Sequence, residues 1–176
     1  PSHPTMDAPK GITPPDRHSR LHPRRIHRLA IALIAALLAA AYYPLLCQGA
    51  DMGDTAELQY AAPLAGICHP PGYQTEVSIG WLWCKLLPIN TPARRMNLLQ
   101  LVCGIIGAIA FHGAVGRITH NPLAAFAAAA TLGLSSIYWR HSLAAEVYVF
   151  YGAFLLGGLY FTVRLFQEDK TRWLAL

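Results

Sequence analysis

LAIALIAALLAAAYYPLL, residues 29 to 46, runs for 18 positions without a charge. At 1.5 Å per residue a helix of that length covers about 27 Å, close to the ~30 Å of a bilayer's hydrocarbon core. A signal-peptide core is shorter, about 7–15 residues, so this stretch reads as a retained membrane span. Around it, 54% of the 176 residues are hydrophobic and only 13% charged, about half the charge of a soluble domain. The apolar residues come in blocks. Three further uncharged runs follow: 96–116 between Arg95 and Arg117, 122–139 behind the cap-like pair Asn121-Pro122, and 147–163 between Glu146 and Arg164. The expected fold is all-α, a polytopic transmembrane helical bundle with two interfacial helices in its first outer loop. An ordinary soluble globule and a disordered chain are both excluded.

Charge sets the expected orientation. Six of the 14 basic residues lie in the first 28: Lys10, Arg17, Arg20, Arg24, Arg25 and Arg28. A basic segment directly before an apolar run is a topology signal rather than a nucleic-acid footprint, so no nucleic-acid partner is expected. Residues 1–28, rich in Pro, His and Arg, are expected to be a disordered cytoplasmic arm. Arg117, Arg164, Lys170 and Arg172 then fall on the same side as the arm, against Lys85, Arg94, Arg95 and Arg140 outside. This asymmetry places the N-terminus in the cytoplasm and the loop 48–95 in a periplasm or lumen. The expected location is a bacterial inner membrane, with membrane lipids as obligatory partners. Trp173-Leu174-Ala175-Leu176 resembles the opening of another span, so the chain is expected to be the first part of a longer protein, domain 29–176.

The outer loop 48–95 is too long for a plain connector. A short helix is expected over 54–65, with Asp54 as N-cap, and a second over 73–87 carrying Trp81 and Trp83. Cys47 and Cys68 flank the loop, and spacing alone does not say whether they pair. The four cysteines form no C-x-x-C and the eight histidines no H-E-x-x-H, so zinc and redox readings have no support.

Three carboxylates, Asp51, Asp54 and Glu57, fall within seven residues. They fit a general base or a metal-binding cluster. Asp54 and Glu57 equally fit a capping box, in which the Asp caps and the Glu reaches back. His69-Pro70-Pro71-Gly72-Tyr73 is either a stiff turn or a rigid mount presenting His69 and Tyr73 to a ligand. Glu146, at the end of a span, needs a partner or water. Arg94 and Arg95 suit a phosphate or an interface.

Gly53-Asp54-Thr55-Ala56-Glu57-Leu58, His69-Pro70-Pro71-Gly72-Tyr73, Arg95-Met96-Asn97-Leu98-Leu99 and Ala145-Glu146-Val147-Tyr148 occur in that order. Together they resemble the transmembrane protein O-mannosyltransferase-like family, in its N-terminal region, from about residue 29 onward. The resemblance implies a GT-C glycosyltransferase that moves a sugar, such as mannose, from a polyprenyl-phosphate donor to a hydroxyl, with Ser or Thr of an exported protein as acceptor. Asp54 matches the family's catalytic Asp and Glu57 its second acid. His69, Tyr73, Arg95, Asn97 and Glu146 match motif positions expected to bind substrate. Ala56 stands where the family often has Gly. A divalent metal is compatible with the acids but is not specified by them. This stretch alone is expected to be inactive. A lipid-linked-sugar flippase and a non-catalytic membrane subunit are the competing readings.

Overall fold

The computed structural model describes residues 17–168, with side chains from residue 25. Every regular element among them is helical: α1 Arg17–Tyr42, α2 Gly53–Ala61, α3 Gln74–Leu86, α4 Pro92–Thr119, α5 Pro122–Leu134, α6 Ser136–His141 and α7 Val147–Glu168. Three stretches are long and apolar enough to cross a membrane: Arg25–Leu45, Pro92–Thr119 and Val147–Glu168. The expected all-α bundle is present. Helix α1 begins at Arg17, so residues 17–28 are helical where a disordered arm was expected; the rest of that arm lies outside the described residues.

Helix α4 is the centre. On one side Ile34, Leu38 and Tyr42 of α1, spaced four apart and fully buried, meet Leu101 and Ala108 of α4 and Ala129 of α5. On the other, Leu58 of α2 and Val77 of α3 pack with Met96 and Leu99 of α4 and Val149 and Phe150 of α7. The opposite stripe of α1, Leu29, Leu33 and Leu37, is exposed. A helix apolar on both faces belongs in lipid, where close packing rather than water exclusion holds helices together.

The helix starts follow local chemistry. Thr91 Oγ1 accepts the Arg94 amide at 3.2 Å ahead of Pro92. Asn121 Oδ1 accepts the amides of Leu123 and Ala124 at 2.9 and 3.2 Å, so the expected cap at Asn121-Pro122 forms. The expected span 122–139 does not. Helix α5 stops after 13 residues, about 20 Å, because Ser135 turns extended (φ −65°, ψ 142°) before the six-residue α6. Tyr42 Oη donates to the Gly133 carbonyl at 2.7 Å, satisfying one of the acceptors that α5 leaves at this end.

Both helices expected in the loop 48–95 exist, with shifted bounds. Helix α2 ends at Ala61 because Pro63 supplies no amide hydrogen for another turn. Helix α3 packs against α4 with Val77, Gly80 and Cys84 buried. Cys47 and Cys68 are both free thiols.

Candidate functional site

The N-terminal ends of α2, α4 and α7 gather at one end of the bundle. Helix α2 starts on Gly53 with Met52 at the N-cap, and no side chain caps it. Asp54 is therefore not the cap, and the capping box does not form. Its carboxylate sits exposed in the first turn of α2, where the helix dipole favours negative charge.

Glu57, one turn further on, reaches the turn at 69–72 instead of its own helix. The His69 amide donates to Glu57 Oε1 at 2.7 Å, and His69 Nδ1 pairs with Glu57 Oε2. The turn itself is closed by the Gly72 amide donating to the His69 carbonyl at 2.7 Å, with a cis bond between Pro70 and Pro71. That is the type VI arrangement, with cis-Pro at its third position. Gly72 follows at φ 89°, a conformation that side chains disfavour. The chain reverses there and sets the Tyr73 ring edge-on to His69, with centroids 5.4 Å apart.

Asp54, Glu57 and His69 thus converge. Each offers a ligand atom, and the three atoms lie within 4.8 Å of one another. No other trio of His, Cys, Asp or Glu does so among the described residues. Two carboxylates and an imidazole could hold a hard divalent cation. The electrostatics are reciprocal. The hydrogen bond from His69 holds the Glu57 carboxyl below the ordinary carboxylate range, and the same bond pushes His69 above the ordinary histidine value. Asp51 stays apart, its carboxylate accepting the Met52 amide at 2.9 Å.

The other expected site residues divide. Glu146, just ahead of α7, accepts the hydroxyl of Thr55 at 2.7 Å and so stands against α2. Asn97 is fully buried. Its Oδ1 accepts the Gln59 side-chain amide at 2.8 Å and the Ala145 amide at 2.9 Å, while its Nδ2 donates to the Cys47 carbonyl at 3.0 Å. Through these bonds Asn97 clamps three chain segments, with one hydrogen of its Nδ2 not engaged by them. Arg95 is tied down at one point: its Nη1 donates to the Cys84 carbonyl at 2.6 Å while its buried Nε has no partner, and its own carbonyl accepts Trp83 Nε1 at 2.8 Å. The guanidinium expected on a phosphate is packed against α3. Arg94 contacts the Gln48 side chain and lies 5.9 Å from the Tyr43 ring.

Two buried polar side chains were not anticipated. Glu76 of α3 is fully buried, its Oε1 accepting from Gln100 Nε2 at 2.7 Å. Its Oε2 and the Gln100 Oε1 have no partner. Burial pushes the Glu76 carboxyl up to about 7, and the nearby Glu146 charge adds to the shift. A signal existed: Glu76 falls on the same helical stripe as Val77, Gly80 and Cys84.

No family model and no solved structure matches the chain. Curated relatives do, among them two protein O-mannosyl-transferases. It is 33% identical over 147 residues to the mouse (Mus musculus) protein O-mannosyl-transferase TMEM260, covering 82% of this chain and 20% of that protein. It is 26% identical over 125 residues to the Dictyostelium discoideum protein O-mannosyl-transferase tmem260, covering 67% of this chain and 15% of that one. The chain therefore spans no more than a fifth of the length of these relatives. On this similarity, which takes in most of its residues, the chain groups with the O-mannosyltransferase-like family.

Proposed function

We propose that this region carries the acid–base end of a membrane glycosyltransferase of GT-C type. It moves a sugar from a polyprenyl-phosphate donor to an acceptor hydroxyl, on Ser or Thr of an exported protein. The observation that carries this reading is the convergence of Asp54, Glu57 and His69 on an exposed end of the bundle. An acceptor hydroxyl is a poor nucleophile until a carboxylate takes its proton. Asp54 is placed for that step, since it has no capping duty and sits exposed. The bond to Glu57 favours the protonated form of His69, a cationic group for the charge that develops on the leaving phosphate.

An apolar groove supports a lipid-linked donor. It runs between α3, α4 and α7, has a volume of about 500 Å³, and is lined by Trp83, Leu99, Phe150 and Phe154 among others. Lipid-linked donors bring their own tail, and a groove of this chemistry accepts one. The site would face the outer side of the membrane, opposite the basic N-terminal segment.

The test uses the full-length protein in proteoliposomes with a polyprenyl-phosphate mannose and a Ser/Thr-containing peptide. Transfer that depends on Asp54 is the expected result. Absence of transfer with several donor sugars, together with donor movement across the bilayer, would instead favour the flippase.

A further inference from the structure

The end of the bundle away from the acidic cluster holds a second polar site. His112 lies on α4 fifteen positions beyond Asn97, about 22 Å along the axis. Its side chain is 1% exposed, and neither ring nitrogen has a hydrogen-bond partner. The Ala125 carbonyl approaches the ring without completing one. Buried polar groups left unpaired are rare and call for a reason.

The His112 ring lines a cavity of about 390 Å³, shared with His27, Arg117, His120 and Gln167. His27 of α1 stands edge-on to it, ring centroids 5.6 Å apart. Gly116 permits that approach, since a Cβ there would sit 3.1 Å from the His27 ring. Arg117 is held at the cavity by Glu168 at 3.0 Å and by the Tyr160 ring, 5.7 Å away.

The chemistry of the lining selects the ligand. Its polar side chains are imidazoles, a guanidinium, an amide and the Tyr160 phenol, and no carboxylate lines it among the described residues, Glu168 standing behind Arg117. The histidines do not make a cation cage, because the only converging ligand trio among the described residues is the one at Asp54. A donor-rich cavity without a carboxylate suits an anion with several acceptor oxygens. Its position points to the source. Arg25 and Arg28 flank His27 in sequence, and Ile31 forms an apolar side of the cavity. Basic pockets between the ends of membrane helices are where lipid headgroups are held.

We propose that this cavity binds the phosphate of an anionic lipid headgroup, with His112, His27, His120 and Arg117 as its donors. Free phosphate offers the same oxygens, so the test separates the two. Full-length protein, delipidated in detergent, is titrated with dioleoylphosphatidylglycerol, with dioleoylglycerol and with inorganic phosphate. The readouts are the shift in unfolding midpoint and, for the lipids, bound mass in native mass spectrometry. Phosphatidylglycerol should bind and dioleoylglycerol should not. His112→Gln should weaken phosphatidylglycerol about tenfold or more, the loss of one charge-assisted hydrogen bond. His120→Gly, at an exposed helix end already in the left-handed conformation (φ 53°), keeps the fold and should weaken it too. Equal lipid binding by wild type and both variants would overturn the proposal, as would no binding at all. A midpoint shift from inorganic phosphate without one from phosphatidylglycerol would overturn the lipid assignment.

Discussion

The Thr55 hydroxyl donates to the Glu146 carboxylate at 2.7 Å across 91 residues of chain. One partner comes from the Gly-Asp-Thr-Ala-Glu-Leu run and the other from Ala-Glu-Val-Tyr, so two motifs far apart in sequence meet in one contact. Helix α2 is thereby fixed against the start of α7, and the exposed acids at its first turn gain a defined position relative to the bundle.

Because Asp54 caps nothing, replacing it should cost little stability. In the full-length protein Asp54→Asn and Asp54→Ala should both unfold within about 0.5 kcal/mol of wild type. Loss of a general base lowers the rate by ~10²–10⁴, and both variants should show that loss in a sugar-transfer assay. Near wild-type transfer by Asp54→Asn would move the base to Glu57.

The His69–Glu57 pair sets a titration. His69 is raised, so its share of the pairing is complete below the ordinary histidine value and fades as pH climbs through the raised one. Glu57 is lowered, so its share is complete above the ordinary carboxylate value and is lost as pH falls through the lowered one. The His69 ring signal in NMR should therefore titrate above free histidine. Glu57→Gln should bring its midpoint down; an unmoved midpoint would dissolve the pair.

Glu76 should weaken the fold at neutral pH. Its carboxyl is raised from 4.5 to about 7, so the folded state holds an extra proton between those values. Stability then declines as pH rises across that window and stays level above it, a cost of about 3 kcal/mol. Glu76→Gln keeps a side chain that pairs with Gln100 and removes the titration. Its unfolding midpoint should exceed wild type at pH 8 and match it near pH 4.

Asn97→Ala should act on stability. It leaves the Ala145 amide and the Cys47 carbonyl without partners and the Gln59 side-chain amide with only its long bond to the Gly49 carbonyl, a loss of about 2–4 kcal/mol. Thermal unfolding and protease cleavage around residues 47–51 measure it. Lost transfer at unchanged stability would instead make Asn97 a substrate ligand.

Orientation is tested by labelling in a background lacking Cys47. Met52 is 87% exposed beside the acidic cluster, whereas Thr55 is buried, so Met52→Cys is the useful probe. An impermeant thiol reagent on intact cells should label it and spare His120→Cys at the other end. The reverse pattern would invert the topology.

What sequence could show depended on whether a property was local. The span at 29–46, the cap at Asn121 and the two loop helices follow from composition and spacing. The pairing of Glu57 with His69 needed the fold, because the same Asp-x-x-Glu spacing serves a capping box equally well. Arg95 and Asn97 sit in a motif, yet their roles are decided by which carbonyls and amides lie opposite them, and no local pattern carries that. The break at Ser135 was hidden because an apolar run contains no marker of where its helix ends. Glu76 was overlooked as one acid in a surface-like helix, although its place on the apolar stripe set it apart.

The bond from Tyr42 to the Gly133 carbonyl bears on the order of assembly. A peptide carbonyl exposed to hydrocarbon is costly, and α5 stops about 10 Å short of a full crossing. Inserted alone, α5 would leave carbonyls of its last turn facing lipid, apart from that of Leu132, which Ser135 already serves. Beside α1 one of them meets a phenol. During synthesis α1 is made first and waits with its hydroxyl in place, so the short helix enters the bilayer as a guest of its predecessor. Tyr42→Phe would remove that reception while leaving every apolar contact of α1 intact.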